Sequence, residues 1–170
     1  MTQSNQNIEI ERKFLVNIPD KNIPASEFFE KIASKKFTIK QGYILTAPDK
    51  TVRVRAKGEL GYLTIKGKTN ENGFSRFEWE KEISLSDAEQ LLELCDKFII
   101  FKTRYEVPYK GKTFEIDVFH GLHEGLVIAE LELQAENESY EKPDWLGKEV
   151  TGDVRYYNAW LSKRPVFTGG

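Results

Sequence analysis

The chain has little of what disulfides, thiolate metal cages and membrane spans require. One cysteine, Cys95, stands among its 170 residues, which excludes an internal disulfide and a cysteine-based metal site. The two histidines, His120 and His123, lie beside Gly121 in a predicted turn, and we interpret them as an exposed loop pair rather than as metal ligands. No apolar run approaches the roughly 20 residues that cross a bilayer. A membrane is therefore not an expected partner.

Neither sign of charge dominates the sequence. Lys and Arg total 25, Asp and Glu total 27, and the formal net charge is −2. This balance argues against nucleic-acid binding through bulk positive charge. Charged residues nevertheless make up 31% of the chain, above the roughly 25% that is typical of globular proteins. The balance leaves room for local clusters that contain both signs.

The sequence predicts one domain between two short terminal segments. A chain of 170 residues usually forms a single domain with a substantial core. We expect this domain over residues 8–165, with a tail over 166–170. Residues 1–7 are polar and uncharged, unlike a signal peptide, and are expected to form a disordered lead-in. The protein is expected to be cytoplasmic.

Strict alternation of charged and apolar residues is the dominant pattern. Read as a β-strand, Ile8–Val16 places Glu9, Glu11 and Lys13 on one face and mainly apolar side chains on the other. The same pattern recurs in the predicted strands 51–57, 62–68, 76–83, 101–107, 112–119 and 127–134, and a less regular strand is predicted over 37–45. Helices are predicted from Ser26 to about Lys36, from a capping box at Ser86 to Phe98, and from Asp153 to Pro165.

These alternating faces favour a closed barrel with its charged face inside. The predicted helices carry apolar stripes that need a partner surface, and the apolar faces of the strands supply one if they point outward. Unpaired charges are prohibitively costly to bury. The lumen, meaning the space inside the barrel, should therefore hold water, internal ion pairs and a ligand that engages both signs.

The charged faces indicate the chemistry of such a ligand. Clustered Arg and Lys residues suit a polyanion, most naturally a phosphate chain. Clustered carboxylates suit a hard divalent cation with oxygen ligands, such as Mg²⁺ or Mn²⁺. A polyphosphate with a metal ion satisfies both sets. The competing interpretation is a purely structural ladder of ion pairs across neighbouring strands.

The charged strands resemble the motifs of one family. Glu9-Ile10-Glu11-Arg12-Lys13 has the E-x-E-x-K form of the CYTH superfamily, the triphosphate tunnel metalloenzymes. Further motifs follow in the family's order and span most of the chain: Arg53-Val54-Arg55, Thr64-Ile65-Lys66, Arg76-Phe77-Glu78-Trp79-Glu80, Lys102-Thr103-Arg104, Glu115-Ile116-Asp117 and Glu130-Leu131-Glu132. A lone E-x-E-x-K is a weak signal, whereas the ordered set is a strong one.

The resemblance implies both a fold and an activity. The implied fold is α+β and mainly β: an eight-stranded antiparallel closed barrel, with a charged lumen and flanking helices. The implied activity is Mg²⁺- or Mn²⁺-dependent hydrolysis of a triphosphate compound, as in the small single-domain bacterial members, several of which are inorganic triphosphatases. Tripolyphosphate is the first expected substrate, followed by nucleoside and thiamine triphosphates.

The same resemblance implies roles for individual residues. The expected metal ligands are Glu9, Glu11, Glu132, Glu130 and Glu115. The expected substrate-binding residues are Arg53, Arg55, Lys66, Arg76, Lys102 and Arg104. The expected catalytic residues are Glu78, Glu80, Lys13 and Asp117. Glu78, Glu80, Glu115 and Asp117 could hold a second metal ion or position the attacking water, and the alternative is that they only orient the arginines.

Two other functions are compatible with the sequence. One is a class IV adenylate cyclase, which uses the same kind of tunnel to act on ATP. The other is a non-catalytic module that binds polyphosphate or a nucleotide. A homodimer is a further possibility that the sequence leaves open.

Overall fold

The computed structural model describes residues 8–164, except for the side chains of Asp96 and Lys97. The predicted lead-in 1–7, the tail 166–170 and Pro165 lie outside the described residues. The strands are β1 Ile8–Val16, β2 Lys35–Ala47, β3 Lys50–Lys57, β4 Leu60–Gly67, β5 Ser75–Ser84, β6 Asp96–Tyr109, β7 Lys112–Phe119, β8 Val127–Glu132 and β9 Leu146–Glu149. The α-helices are α1 Ala25–Glu30, α2 Leu85–Glu93 and α3 Asn158–Leu161, with 3-10 turns at Gly121–His123 and Val154–Tyr156.

Eight of these strands close into an antiparallel barrel, as the sequence predicts. Their order is β5-β4-β3-β2-β6-β7-β8-β1, and β1 pairs with β5 to complete the ring. The short strand β9 lies outside the ring and pairs with β1 beyond the stretch that contacts β5. Its pairing begins at Leu146, which lies opposite Val16.

The register of the strands brings the charged residues together on the inner face. Residues opposite one another in an antiparallel pair point to the same face of the sheet. Glu9 lies opposite Arg76, Glu11 opposite Glu132, and Lys13 opposite Glu130. On the other strands, Lys66 lies opposite Glu78, Arg53 opposite Thr64 and Arg104 opposite Asp117. The charged lumen that the sequence predicts is therefore present.

The outer face of the barrel packs against the helices, also as predicted. On one side, Phe29 of α1 and Trp145 lie over the apolar outer residues of β1, β6, β7 and β8, including Phe14 and Phe114. On another side, Ala88 of α2 packs on Val54 and its neighbours. Gly61 permits this approach, because a Cβ atom there would lie 2.6 Å from the Cβ of Ala88.

The helices are shorter than the sequence predicts. Helix α1 ends at Glu30, since the chain has already entered β2 at Lys35. Helix α2 is capped by Ser84, whose Oγ accepts the backbone N–H of Asp87 at 3.0 Å, so the predicted capping box at Ser86 is wrong. Phe98 belongs to β6 rather than to this helix.

The predicted last helix is also broken. Asp153 does cap the segment, by accepting the backbone N–H of Arg155 at 3.1 Å, but it starts a 3-10 turn followed by the four residues of α3. Val154, which lies within the predicted helix, is 56% exposed. The apolar stripe expected of a continuous helix is interrupted because Tyr157 has an extended backbone between the two turns.

Part of the inner face is apolar rather than charged. The register places Phe119 opposite Lys102 and Ile128 opposite Asp117, so both apolar side chains point inward. They pack with Ile100 of β6 and with Val150, Tyr156 and Leu161 from the C-terminal segment. The predicted charged lining thus covers only part of the lumen, because several strands change from charged to apolar inner residues along their length.

The two histidines do not form an exposed pair. His123 is only 2% exposed, and its Nε2 donates to the backbone oxygen of Arg164 at 3.0 Å. His120 is half-buried, with its Nε2 2.8 Å from the hydroxyl of Thr103. The prediction of an exposed loop position is wrong for His123.

None of the helices in residues 8–164 has the length and apolar character needed to cross a membrane.

Replacing Gly61 by alanine is expected to destabilise the fold. The new Cβ atom would stand 2.6 Å from both the Cβ of Ala88 and the backbone oxygen of Ser84, so α2 must move away from β4. We expect a loss of about 1–3 kcal/mol in the free energy of unfolding, measured by urea denaturation. Gly67→Ala on the same strand is the control, since its Cβ would meet only Phe77 at 3.3 Å. Equal stability of the two variants would contradict this account.

Candidate functional site

A cavity of about 770 Å³ lies inside the barrel. Its walls come from the charged inner faces of the strands, together with the loops at one end and part of α3. All of the residues that the sequence predicts for the site reach this cavity except Lys102 and Asp117: the lining includes Glu9, Glu11, Lys13, Arg53, Arg55, Lys66, Arg76, Glu78, Glu80, Arg104, Glu115, Glu130 and Glu132.

Lys102 and Asp117 lie one layer behind the cavity. Their side chains are each 1% exposed, and the Nζ of Lys102 donates to Oδ2 of Asp117 at 2.5 Å. Burial lowers the pKa of Lys102 to about 8, with Arg104 adding to the effect and Asp117 opposing it. The predicted contact of Lys102 with substrate is therefore not available in this arrangement. Asp117 likewise faces basic side chains rather than the open cavity.

Arg104 is almost fully occupied by carboxylates. Its Nε and Nη2 both donate to Asp117 at 2.7 Å, its Nη1 donates to Glu115 at 2.5 Å, and its Nη2 also donates to Glu130 at 3.0 Å. Although burial opposes the charge, these carboxylates hold the pKa of Arg104 above its usual value. A guanidinium with five donors that makes these bonds has little left for a ligand.

The two lysines of the lining that the sequence predicts for the site, Lys13 and Lys66, are paired as well. Lys13 donates to Glu130 and lies 3.4 Å from Glu11. Lys66 donates to both oxygens of Glu9 at 2.8 Å and lies 3.0 Å from Glu78. Near β1, these cations are therefore matched by carboxylates before any ligand binds.

Arg53 and Arg55 have donors to spare. Their contacts are long: Arg53 reaches Thr64 at 3.2 Å and Glu80 at 3.4 Å, while Arg55 reaches Glu80, also at 3.4 Å. The Nε of each arginine is buried, with no hydrogen-bond partner within residues 8–164. Burial and the positive charges of Arg53 and Arg104 lower the pKa of Arg55 to about 10. An anion would relieve this excess of positive charge.

Arg76 extends the same basic surface. Its Nε donates to Glu9 at 3.1 Å, and its guanidinium carbon lies 5.9 Å from the ring centre of Tyr157. The cavity wall between Arg76 and Arg55 thus offers several N–H groups that no carboxylate occupies fully. Guanidinium groups present paired donors that match the oxygens of phosphate.

The opposite excess occurs at Glu11 and Glu132, which face each other across β1 and β8. Burial raises the pKa of Glu11 to about 7, and the neighbouring Glu130 adds to the effect. Burial and the charge of Glu9 also raise the pKa of Glu132. Carboxylates that are hard to ionise together are stabilised by a cation between them.

The donor set suits a hard divalent cation. Glu9, Glu11 and Glu132 supply carboxylate oxygens from neighbouring strands, which is the ligand type that Mg²⁺ and Mn²⁺ prefer. Within residues 8–164, however, no three Asp, Glu, His or Cys side chains already stand close enough together to hold a metal ion. Glu9 is turned toward Lys66 and Arg76 instead. The residues therefore fit a metal in chemistry, and binding would require these side chains to turn.

Sequence reasoning missed several residues of the inner face. Thr64 donates its hydroxyl to Glu80 at 2.7 Å and so fixes the carboxylate shared by the two arginines. Gln41 and Tyr43 of β2 lie opposite Arg55 and Arg53. The period-two spacing of Ile39, Gln41 and Tyr43 is the signal that could have placed them inside. It was weak because this strand alternates apolar and polar residues on both faces.

Glu11→Gln is expected to stabilise the metal-free protein at pH 8 and to change little at pH 5. The folded-state pKa of about 7 exceeds the ordinary 4.5, so the carboxyl favours folding only while it can stay protonated. That contribution is lost as the pH rises from 4.5 through 7, whereas the amide stays neutral. The gain at pH 8 should be on the order of 1–3 kcal/mol by urea denaturation in metal-free buffer. Exposed Glu141→Gln is the control, and a gain that does not grow with pH would contradict the assignment.

Comparisons with known proteins agree with this geometry. Residues 7–157 match the family model of the CYTH domain. The chain is 47% identical over 158 residues to an inorganic triphosphatase of Acetivibrio thermocellus, covering 92% of this chain and 94% of the relative. It is 36% identical over 160 residues to an inorganic triphosphatase of Nitrosomonas europaea, covering 91% and 96%. The solved crystal structure of the inorganic triphosphatase NE1496 superposes with a TM-score of 0.61 at 32% identity, covering 92% of this chain and 95% of that one. The chain belongs to the CYTH domain family.

Proposed function

We propose that this protein hydrolyses inorganic tripolyphosphate to pyrophosphate and phosphate with the help of Mg²⁺ or Mn²⁺. The observation that carries the proposal is the pair Arg53 and Arg55, whose donors are incompletely used inside a cavity of about 770 Å³. The names of the two curated relatives support the same activity. A phosphate chain is small enough for this cavity, and its negative charge would balance the positive charges of Arg53 and Arg55.

In this proposal the basic residues bind the phosphate chain in two ways. Arg53, Arg55 and Arg76 contact it directly, since they retain free N–H groups. Lys13, Lys66 and Arg104 supply positive potential at the wall while staying paired with carboxylates. Asp117 acts from behind by holding Arg104 in place, and Lys102 in turn pairs with Asp117. This division keeps the residues predicted from the sequence, but Lys66, Lys102 and Arg104 are not proposed as direct substrate contacts, and Lys13 and Asp117 are not proposed as catalytic.

Glu9, Glu11 and Glu132 are the proposed metal ligands, with Glu130 and Glu115 as secondary candidates. When bound, the metal would neutralise phosphate oxygens and so ease attack on phosphorus. Glu130 is the weaker candidate because Lys13 and Arg104 already occupy its oxygens. Glu115 is engaged by Arg104 in the same way.

Glu78 is the proposed base for the attacking water. Burial raises its pKa, and the nearby charge of Glu9 adds to the effect, although Lys66 opposes it. A carboxylate with a raised pKa is better suited to accept a proton near neutral pH. The water oxygen would bond to the terminal phosphorus, the bridging P–O bond would break, and Glu78 would take the proton. Glu80 is less suited, because Thr64, Arg55 and Arg53 lower its pKa and fix it as their partner.

A panel of substrates tests the proposed reaction. Purified protein is offered tripolyphosphate, ATP, thiamine triphosphate and pyrophosphate, each with Mg²⁺ or Mn²⁺, and both phosphate and cyclic AMP are measured. We expect phosphate release to be fastest with tripolyphosphate and to require a divalent metal. Cyclic AMP from ATP would favour a cyclase instead. Binding of all compounds without turnover would favour a non-catalytic module.

Arg55→Ala is expected to raise the KM for tripolyphosphate by roughly tenfold or more, because a charged hydrogen-bond donor is removed from the anion site. The measurement is steady-state phosphate release across substrate concentrations. Arg155→Ala is the control, since Arg155 is exposed and pairs with Asp153 outside the lining of the cavity. An unchanged KM in Arg55→Ala would refute a phosphate site at this wall.

Glu11→Gln is expected to lower metal-dependent turnover on the order of 100-fold, because one carboxylate ligand is lost. Its fold should remain intact, as shown by unfolding curves at pH 8. Exposed Glu141→Gln should behave like the unmodified protein in the same assay. Near-normal turnover of Glu11→Gln at all metal concentrations would refute the metal assignment.

The cytoplasmic location and the homodimer stay predictions.

A further inference from the structure

Gln41 has an unusual environment on the inner face of β2. Its side chain is 0% exposed. Neither its amide nitrogen nor its amide oxygen has a hydrogen-bond partner in the part of the chain that the structure describes. A buried amide that lacks partners is costly, and such groups are rare in folded proteins. The stability of the fold therefore does not explain why an amide side chain occupies position 41.

The neighbours of Gln41 narrow the choice of partner. In the β2–β3 register it lies directly opposite Arg55, and in the β2–β6 register directly opposite Ile100. Directly opposed residues have Cβ atoms about 4.5–5.5 Å apart. Ile100 has no polar side-chain atom, whereas the Nε of Arg55 is itself buried and unpaired. An unused acceptor and an unused donor thus stand on adjacent strands.

Arg55 is held loosely compared with Arg104, another arginine of the lining. Within residues 8–164, its one side-chain hydrogen bond is the 3.4 Å approach of Nη2 to Glu80, and its guanidinium carbon lies 5.3 Å from the ring centre of Tyr62. Arg104, by contrast, makes several bonds of 3.0 Å or less. A guanidinium bound at Nε has its plane fixed, which leaves its two terminal NH groups as a fork for phosphate oxygens.

We propose that Gln41 is a positioning residue for the phosphate chain. When the chain binds, Oε1 of Gln41 accepts the Nε–H of Arg55, and the terminal NH groups of Arg55 then face the phosphate oxygens. This inference rests on the proposed function, because the Gln41 amide has this role only if Arg55 binds the phosphate chain. It implies that the amide lowers the stability of the ligand-free protein and improves substrate binding.

The test is Gln41→Met, with Gln41→Leu as a second variant of similar volume. Both remove the amide and keep an apolar side chain of similar length in the wall. We expect the KM for tripolyphosphate to rise about five- to tenfold, in the range of one lost hydrogen bond to a charged group. We expect kcat to change little, and the Tm without ligand to stay equal or rise. Lys40→Met is the control, because Lys40 lies on the same strand and is exposed.

A double variant then tests whether Gln41 acts through Arg55. In Arg55→Ala/Gln41→Met, the KM should equal that of Arg55→Ala alone, because the group that Gln41 positions is gone. A further rise in KM would overturn the proposed route through Arg55. If Gln41→Met and Gln41→Leu both lower the Tm and leave the KM unchanged, the amide is only a structural group that a buried water satisfies. That result would overturn the proposal.

The same measurements separate this inference from the proposed function. If the unmodified protein neither hydrolyses tripolyphosphate nor gains Tm in its presence, the proposed function is wrong, and the role of Gln41 fails with it. If the unmodified protein is active and Arg55→Ala raises the KM while Gln41→Met does not, the proposed function stands and only the role of Gln41 is refuted.

Discussion

The structure depends on one electrostatic constraint: charges inside a closed barrel must be balanced, because water alone cannot solvate all of them there. The register meets this constraint by placing acidic and basic residues on neighbouring strands. Lys13 pairs with Glu130, Lys66 with Glu9, and Arg104 with Asp117. A shift of any strand by one residue would turn its charged face outward and leave its partners unpaired.

The balance is incomplete at two places, and those places define the site. Around Arg53 and Arg55 the cations exceed their carboxylates, since Glu80 serves both. Around Glu11 and Glu132 the carboxylates exceed their cations. Burial disfavours the charged form in both regions: it lowers the pKa of Arg55 and raises that of Glu11. A structural ladder of ion pairs would have no reason to leave such excesses, so this competing interpretation explains the paired residues but not the unpaired ones.

The sequence predicted the barrel and most of its lining because alternation is a strong local signal. The period of two in Ile8–Val16 and in 51–57 fixes which residues face inward, whatever the rest of the chain does. It could not predict the ends of the helices, which depend on contacts. Ser84 rather than Ser86 caps α2 because β5 extends to Ser84. It also could not show that Lys102 lies behind the lining, because alternation gives the face of a residue and not its depth.

The two excesses of charge make binding of an anion and a cation interdependent. A phosphate chain placed at Arg53 and Arg55 brings negative charge into a lumen that already contains poorly compensated carboxylates. A divalent cation held by Glu11 and Glu132 would offset this charge and would itself be attracted by the phosphate oxygens. Each ligand would therefore reduce a repulsion that opposes the other, so the proposed complex of metal and phosphate chain suits the lumen better than either ligand alone. The poorly compensated charges that oppose folding are thus the ones proposed to select the ligands.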